Sequence, residues 1–474
     1  MSRPLEADLC ILGAGAGGLA AAAGAAQMGA RVALVEPHAM GGDCLNTGCV
    51  PSKALLAAAA HAEAMRRVPR FGVQAGEPEV DWRGVHRYVH GVIGAIAPHD
   101  SQERFEGLGV TVIRAPGRFL DPRTVEAGEF RITARRFVVA TGSRPALPPF
   151  PGLESVPYFT NETIFDHAHP LPHLLVIGAG PIGMEMAQAH RRLGSEVTVV
   201  DLGRPLPRED PELAELVVRR MTAEGVHFRA GVTVRRIETG LGGVALVLEQ
   251  ERLESRVDGS HLLIAAGRKP NVEGLGLEAA GIHFTPAGIK VDDRLRTTNR
   301  RVFAIGDVTG GFQFTHAAGY HAGIVLRNAL FHLPARVDYS ALPRVTYTDP
   351  ELAHVGLSEE EARRAETLFQ VLRKPFGEND RARAEGDAEG MIKIILGKKG
   401  RILGASIVGA HAGELILPWV LAVQQKMGIG VMAGIIAPYP TRSEISKGVA
   451  GQYYTPKLFS PGTRRLVRWL GMLG

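Results

Sequence analysis

The sequence predicts an α/β fold built around two copies of one strand–glycine loop–helix–strand unit. Three observations carry this expectation. Gly13-Ala14-Gly15-Ala16-Gly17-Gly18 and Gly178-Ala179-Gly180-Pro181-Ile182-Gly183 each follow an apolar run and open a helix-forming stretch, and each unit closes on an acid. Two of the 3 cysteines in 474 residues, Cys44 and Cys49, come directly after the first unit. The length also exceeds what one core supports, so several domains are expected.

In the first unit, residues 7–12 read as a strand, with Cys10 acting as a small buried hydrophobe. Gly13 permits the tight turn that follows. Gly15 lets backbone approach a pyrophosphate, and Gly18 lets the alanine-rich helix that runs to Gly29 pack on the strand. The pyrophosphate would rest on the helix N-terminus. A second strand, 31–35, ends at Glu36, whose carboxylate can accept hydrogen bonds from an adenosine ribose. The second unit repeats the order: strand 174–177, then Gly178, Gly180 and Gly183, a helix to Leu193, and a strand from Glu196 to Asp201. Each unit is thus a Rossmann-like dinucleotide-binding domain, because strand, helix, strand and acid in order are more specific than glycines alone. Both copies keep three glycines and an acid, so two working sites are expected. Asp201 suits a free 2′-hydroxyl, which favours NAD(H) over NADP(H). Arg204 and Arg208 follow closely and could instead hold a 2′-phosphate.

The segment Cys44-Leu45-Asn46-Thr47-Gly48-Cys49 precedes Pro51-Ser52-Lys53, where a helix is predicted to start with Pro51 near its first position. A structural disulfide here would close a very short loop and constrain the unfolded chain little. A structural zinc site needs four ligands, and neither His38 nor His61 has metal-type spacing to the pair, so no metal site is expected. The functional reading needs a thiolate, and the positive end of a helix dipole lowers a thiol pKa at this place. A thiol pair beside a nucleotide site points to electron transfer through sulfur.

Composition narrows the field. With 54 basic against 49 acidic side chains the net charge is +5, and no basic stripe interleaved with aromatics suggests a nucleic-acid partner. The 58 glycines and 30 prolines sit in short loops without a period, as in nucleotide-binding α/β proteins rather than disordered chains. Residues 1–6 carry no apolar signal core, and no stretch of uninterrupted apolar residues is long enough to span a membrane. With few cysteines, a cytoplasmic location is expected.

Together with the two nucleotide units, Gly41-Gly42-Asp43-Cys44-Leu45-Asn46-Thr47-Gly48-Cys49-Val50-Pro51-Ser52-Lys53 resembles the pyridine nucleotide–disulfide oxidoreductases, the group of glutathione reductase, dihydrolipoamide dehydrogenase and mercuric reductase. Val139-Ala140-Thr141-Gly142-Ser143-Arg144-Pro145 resembles the crossing from the flavin to the nicotinamide domain, and Ala265-Ala266-Gly267-Arg268-Lys269-Pro270-Asn271 resembles the return. Ala304-Ile305-Gly306-Asp307 is similar to the second flavin motif, whose Asp holds the ribityl chain. Thr346-Tyr347-Thr348-Asp349-Pro350-Glu351 resembles the opening of the dimerisation domain. The resemblance runs nearly end to end.

It implies a glutathione reductase-like arrangement: a first FAD-binding part at 1–147, an NAD(P)-binding domain at 148–270, a second FAD-binding or central part at 271–340, and a C-terminal α+β dimerisation domain at 341–474. The expected assembly is a homodimer with its active site across the interface. FAD would take the first site, with Gly13, Gly15, Gly18, Glu36, Thr141, Gly142, Gly306 and Asp307. The nicotinamide dinucleotide would take the second, with Gly178, Gly180, Gly183, Asp201 and Gly267. Cys49 would be the charge-transfer thiol facing the flavin, and Cys44 the interchange thiol that attacks a small-molecule acceptor. Lys53, one helical turn after Cys49, would pair with Glu185 beside the flavin.

The chain departs from the family in Ala437-Pro438-Tyr439-Pro440-Thr441-Arg442-Ser443-Glu444. Tyr439 stands where the disulfide reductases carry an acid–base histidine, and Glu444 is retained. An unperturbed tyrosine titrates near pH 10 and is a poor proton shuttle at neutral pH. It can still donate a hydrogen bond or lie near a bound metal. The tyrosine resembles mercuric reductase, yet no cysteine follows Cys49 to supply that enzyme's C-terminal pair. The expected acceptor is a disulfide or other thiol-reactive compound, then Hg(II) or another soft metal, then a quinone. Alternatives are a dihydrolipoamide dehydrogenase of a multienzyme complex and a non-enzymatic redox sensor or metal-sequestering flavoprotein. Residues 463–473 set Arg464, Arg465 and Arg468 among Leu466, Val467, Trp469, Leu470, Met472 and Leu473. A short basic amphipathic helix of this kind can lie in a membrane interface, although packing on its own domain is the commoner use.

Overall fold

Leu9, Ile11, Leu34 and Val138 face one way and Cys10, Leu12, Val35 and Val139 the other, and all are buried. A parallel sheet covered on both faces needs that continuous apolar character. The structure is a computed structural model describing residues 3–365 and 368–473. It forms two compact units: Met1–Leu202 with Gly231–Val337, and Gly203–Ala230 with Asp338–Gly474.

In the first unit the main sheet runs Val110–Ile113, Val32–Val35, Arg3–Leu12, Phe130–Val139, Thr124–Ala127 and Gly117–Asp121, with Val302–Ala304 also paired to Phe130–Val139. The first four and Val302–Ala304 pair in parallel, and the others are antiparallel. Leu12 lies opposite both Val35 and Val139, and Val139 opposite Ala304. Gly13, Glu36, Ala140 and Ile305 therefore leave the sheet at one carboxyl edge, where open α/β sheets bind ligands. The helix Ala16–Gln27 covers this sheet with small side chains, and Gly24 has no room for a Cβ, which would meet Leu326 Cδ1 at 2.6 Å. Cys10 is fully buried, and burial pushes its thiol up to about 12. The strand that carries it starts at Arg3, four positions before the sequence suggests.

A second parallel set joins Glu196–Asp201, His173–Ile177 and His261–Ile264. The antiparallel meander Thr233–Gly240, Gly243–Gln250, Leu253–Gly259 follows the glycine-loop strands. The two expected crossings are hydrogen-bonded to each other: Ser143–Pro145 pairs antiparallel with Arg268–Pro270.

The second unit is a five-stranded antiparallel sheet, ordered Arg344–Thr346, Glu351–Gly356, Ile402–Gly409, Met391–Leu396, Gln370–Pro375. Helices Leu417–Gln424 and Glu444–Gln452 contribute to its core, where fully buried Trp419 donates from its indole nitrogen to Ser446 Oγ at 3.1 Å. Lys393 is buried among three carboxylates, with Asp210 at 2.7 Å, Glu212 at 2.9 Å and Glu359 at 2.7 Å. The alternation of this sheet makes the unit α+β, as expected. Among the described residues, no helix is long and apolar enough to cross a membrane.

Candidate active site

The two thiols sit on successive helices. Cys44 lies in a short helix, Gly42–Asn46, which the sequence does not announce; the Asn46 amide stabilises it by donating to the Met40 and Gly42 carbonyls. The next helix, Cys49–Arg67, starts at Cys49 and not at Pro51. Pro51 is tolerated at the third position because first-turn N–H groups have no intrahelical partner. Cys49 thus opens the helix, nearer its positive end than expected. Both cysteines are free thiols, and the two side chains interact closely enough for each to shift the other's titration.

That contact polarises the pair. The Cys44 hydrogen bond, the Thr315 hydroxyl at 3.3 Å and the Lys53 charge pull Cys49 down to about 6, against the opposing effects of burial and Asp43. Cys44 moves the other way, held protonated first by its bond to Cys49 and then by burial. Lys53 reaches Glu185 Oε2 at 2.7 Å, and Glu185 is buried on the helix Pro181–Arg192. The sequence pairing of Lys53 with Glu185 is therefore met in space.

The loop carrying Cys44 is tied down through Asp43. Its carboxylate accepts from Thr47 Oγ1 at 2.9 Å and Asn161 Nδ2 at 3.0 Å, and it pairs with Arg268 at 3.2 Å. Arg268 Nε donates to Ser143 Oγ at 2.8 Å, and Ser143 donates to Asp307 at 2.6 Å. Burial pushes the Asp307 carboxyl up, while Ser143 and Arg268 pull against it. Thr141 donates its hydroxyl to the Asn271 carbonyl, so it braces the crossing. Thr315, Asn161 and the Asp43–Arg268 link were missed from sequence, because nothing in local spacing marks them.

The glycine loops repeat one geometry. Gly13 (φ +107°) and Gly178 (φ +111°) make left-handed turns, and a Cβ on Gly18 or Gly183 would lie 1.9 Å from the carbonyl oxygen of Gly13 or Gly178. Gly15 and Gly180 face open space, apart from Gly42 Cα at 3.9 Å from a Cβ on Gly15. Glu36 accepts from Ala14 N–H at 2.7 Å and His38 N–H at 2.8 Å, and Asp201 from Ala179 N–H at 2.7 Å. A carboxylate oxygen placed in this way can also accept from a ribose hydroxyl. The open glycines and oriented acids fit a dinucleotide pyrophosphate and ribose at both loops. Gly142 (φ +69°), Gly306 (φ +69°) and Gly267 (φ +126°) all turn in the left-handed region, and Gly306 N–H donates to buried His321. Arg204 donates to the Leu206, Pro207 and Glu209 carbonyls.

Residues 7–322 match the sequence model of the pyridine nucleotide-disulphide oxidoreductases, and residues 342–450 match that family's dimerisation domain. The chain belongs to this family. It is accordingly an enzyme of the FAD-dependent pyridine nucleotide–disulfide oxidoreductase type, and the dimerisation domain supports a homodimer. Mercuric reductase of Staphylococcus aureus is 33% identical over 94% of this chain and 82% of its own length. Dihydrolipoyl dehydrogenase of Thermus scotoductus is 37% identical over 92% of this chain and 95% of its own. Among solved structures, the Cu(II) complex of the HOCl-induced flavoprotein disulfide reductase RclA from Escherichia coli is similar at TM-score 0.84 and 27% identity, covering 94% of this chain and 99% of that one.

Within the second unit, Tyr439 is exposed and its hydroxyl donates to Asp380 at 3.1 Å rather than to Glu444, the first residue of its helix. That bond raises the phenol further above its usual range, which strengthens the sequence argument against a family-type proton shuttle. The helix Pro461–Leu470 buries none of its side chains, and Leu466, Val467, Trp469 and Leu470 are all exposed.

Proposed function

We propose that this enzyme passes electrons from NADH to the Cys44–Cys49 pair and on to a disulfide or other thiol-reactive small molecule. The observation that carries the proposal is the pair of free thiols on successive helices, with Cys49 opening its helix 3.3 Å from the Thr315 hydroxyl, a setting that lowers Cys49 and raises Cys44. Bound FAD would supply the hydride-accepting chemistry between nicotinamide and sulfur. Cys49 would stand as the thiolate toward that group, while Lys53 and Glu185 fix a charged pair one turn further along. Cys44 would attack one sulfur of a disulfide acceptor, its proton passing to the sulfur that is expelled. Cys49 would then displace the bound half, which re-forms the Cys44–Cys49 disulfide. NADH is preferred over NADPH because Asp201 repels a 2′-phosphate and Arg204 is engaged with backbone carbonyls.

A soft-metal acceptor is the second reading, favoured by Tyr439. A cation bound by two thiolates needs no acid–base histidine, whereas thiol–disulfide exchange does better with one. Anaerobic NADH titration should develop a long-wavelength thiolate–flavin absorption that Cys49→Ser abolishes. Turnover against lipoamide, glutathione disulfide, Hg(II), Cu(II) and quinones then selects the acceptor. Undiminished activity of Cys44→Ser with every acceptor would rule out the dithiol route. Peripheral membrane contact through residues 463–473 is a separate proposal, supported by the exposed apolar face among arginines; equal liposome sedimentation with and without residues from Pro461 onward would reject it.

A further inference from the structure

Behind the thiol helix, the first unit holds an aromatic cluster that the electron route does not use. His190, on the helix that carries Glu185, is fully buried, and its Nδ1 contacts the Met186 carbonyl at 2.9 Å. His167 presents its Nδ1 to the His169 carbonyl at 2.8 Å. Carbonyl oxygens only accept, so each Nδ1 carries its ring's proton and each neutral ring leaves a bare lone pair on Nε2. The two Nε2 atoms face each other at 3.2 Å. The chain carbonyl–imidazole–imidazole–carbonyl has three short contacts and only two ring protons, so the two Nε2 lone pairs face each other unless a cation joins them.

We propose that His167 and His190 bind one borderline divalent metal ion, such as Zn(II) or Co(II), between their Nε2 atoms. Tetrahedral zinc holds histidine nitrogens at about 2.0–2.1 Å, which places two such nitrogens roughly 3.3–3.4 Å apart, close to the separation here. An Nδ1–H bonded to a carbonyl is also the outer contact that fixes the tautomer and orientation of metal-ligating histidines. The ring of Trp82 lies 4.9 Å from His167 and 5.7 Å from His190, in the second case stacked, and its face favours a positive charge beside it. A shared proton is the competing way to join the two nitrogens, and absence of saturable Co(II) uptake would favour it. Among the described residues no group of three His, Cys, Asp or Glu converges on one ion, so the proposed site rests on these two side chains. A cavity of about 410 Å³ lined by Asp81, Trp82, Ala168 and His169 lies next to the cluster's aromatic wall.

The test uses FAD-loaded full-length protein carrying Cys44→Ser and Cys49→Ser, so that the thiols take no metal. Titration with Co(II) alone should saturate at one equivalent with an intense tetrahedral-type visible spectrum. His167→Gln should weaken uptake at least tenfold with unchanged flavin content and far-ultraviolet dichroism. His190→Asn is the second variant, should the first disturb folding. The proposal is overturned by absence of saturable Co(II) uptake in the parent, by an octahedral spectrum, or by equal uptake in a folded histidine variant.

Discussion

Thr315→Val is the sharpest probe of the thiol pair. The hydroxyl lies 3.3 Å from Cys49 Sγ, and it is one of the groups that bring this thiol from 9.0 to about 6. A hydrogen bond to a charged group contributes about 1.5–3 kcal/mol. Since one pKa unit corresponds to about 1.36 kcal/mol, its loss should raise Cys49 by about one to two units. At pH 7 the thiolate fraction would then fall from roughly nine-tenths to between about a half and a tenth. Valine keeps the shape of threonine, so packing changes little. In the anaerobically reduced, FAD-loaded enzyme, the long-wavelength absorption should titrate with a midpoint near 6 in the native chain, appearing as pH rises. The midpoint should move up in the variant, and the pH profile of Cys49 alkylation, mapped by mass spectrometry, should move with it. A native midpoint near that of an ordinary thiol, or one unmoved by the substitution, would refute the reasoning.

Three further outcomes are expected. Lys53→Met takes the ammonium from buried Glu185, so the melting temperature should fall and reduction by NADH should slow; adding Glu185→Leu should restore stability but not the rate, and recovery of both would make the pair merely structural. Tyr439→His should raise lipoamide turnover at least tenfold, given that a positioned acid–base contributes about 10²–10⁴; unchanged turnover would mean that Tyr439 does not set the acceptor. Lys393→Met leaves buried Asp210 without its lysine, while Arg373 still pairs with Glu212 and Glu359, and should destabilise the second unit by about 3–5 kcal/mol. Urea unfolding followed at Trp419 measures this, and a loss below about 1 kcal/mol would count against a role for the network.

By itself the sequence determined the features whose chemistry is local. A left-handed turn needs glycine at positions 13 and 178, an acid ends each second strand, two thiols lie on adjoining turns, and Lys53 follows Cys49 by one helical turn. Such features are written in consecutive residues, so the two nucleotide loops and the thiol pair could be read directly, whereas Tyr439 in a histidine's place came from the family resemblance. Tertiary structure alone decided how distant segments meet. Thr315, 266 positions from Cys49, reaches the sulfur; Asn161 and Arg268 grip Asp43; the two crossings pair as one ribbon. It also set the helix start at Cys49, faced His167 with His190, and turned the Tyr439 hydroxyl to Asp380. The physical reason is that sheet register and helix packing bring these groups together through backbone bonds and buried area, to which widely separated residues contribute without leaving any pattern in their spacing.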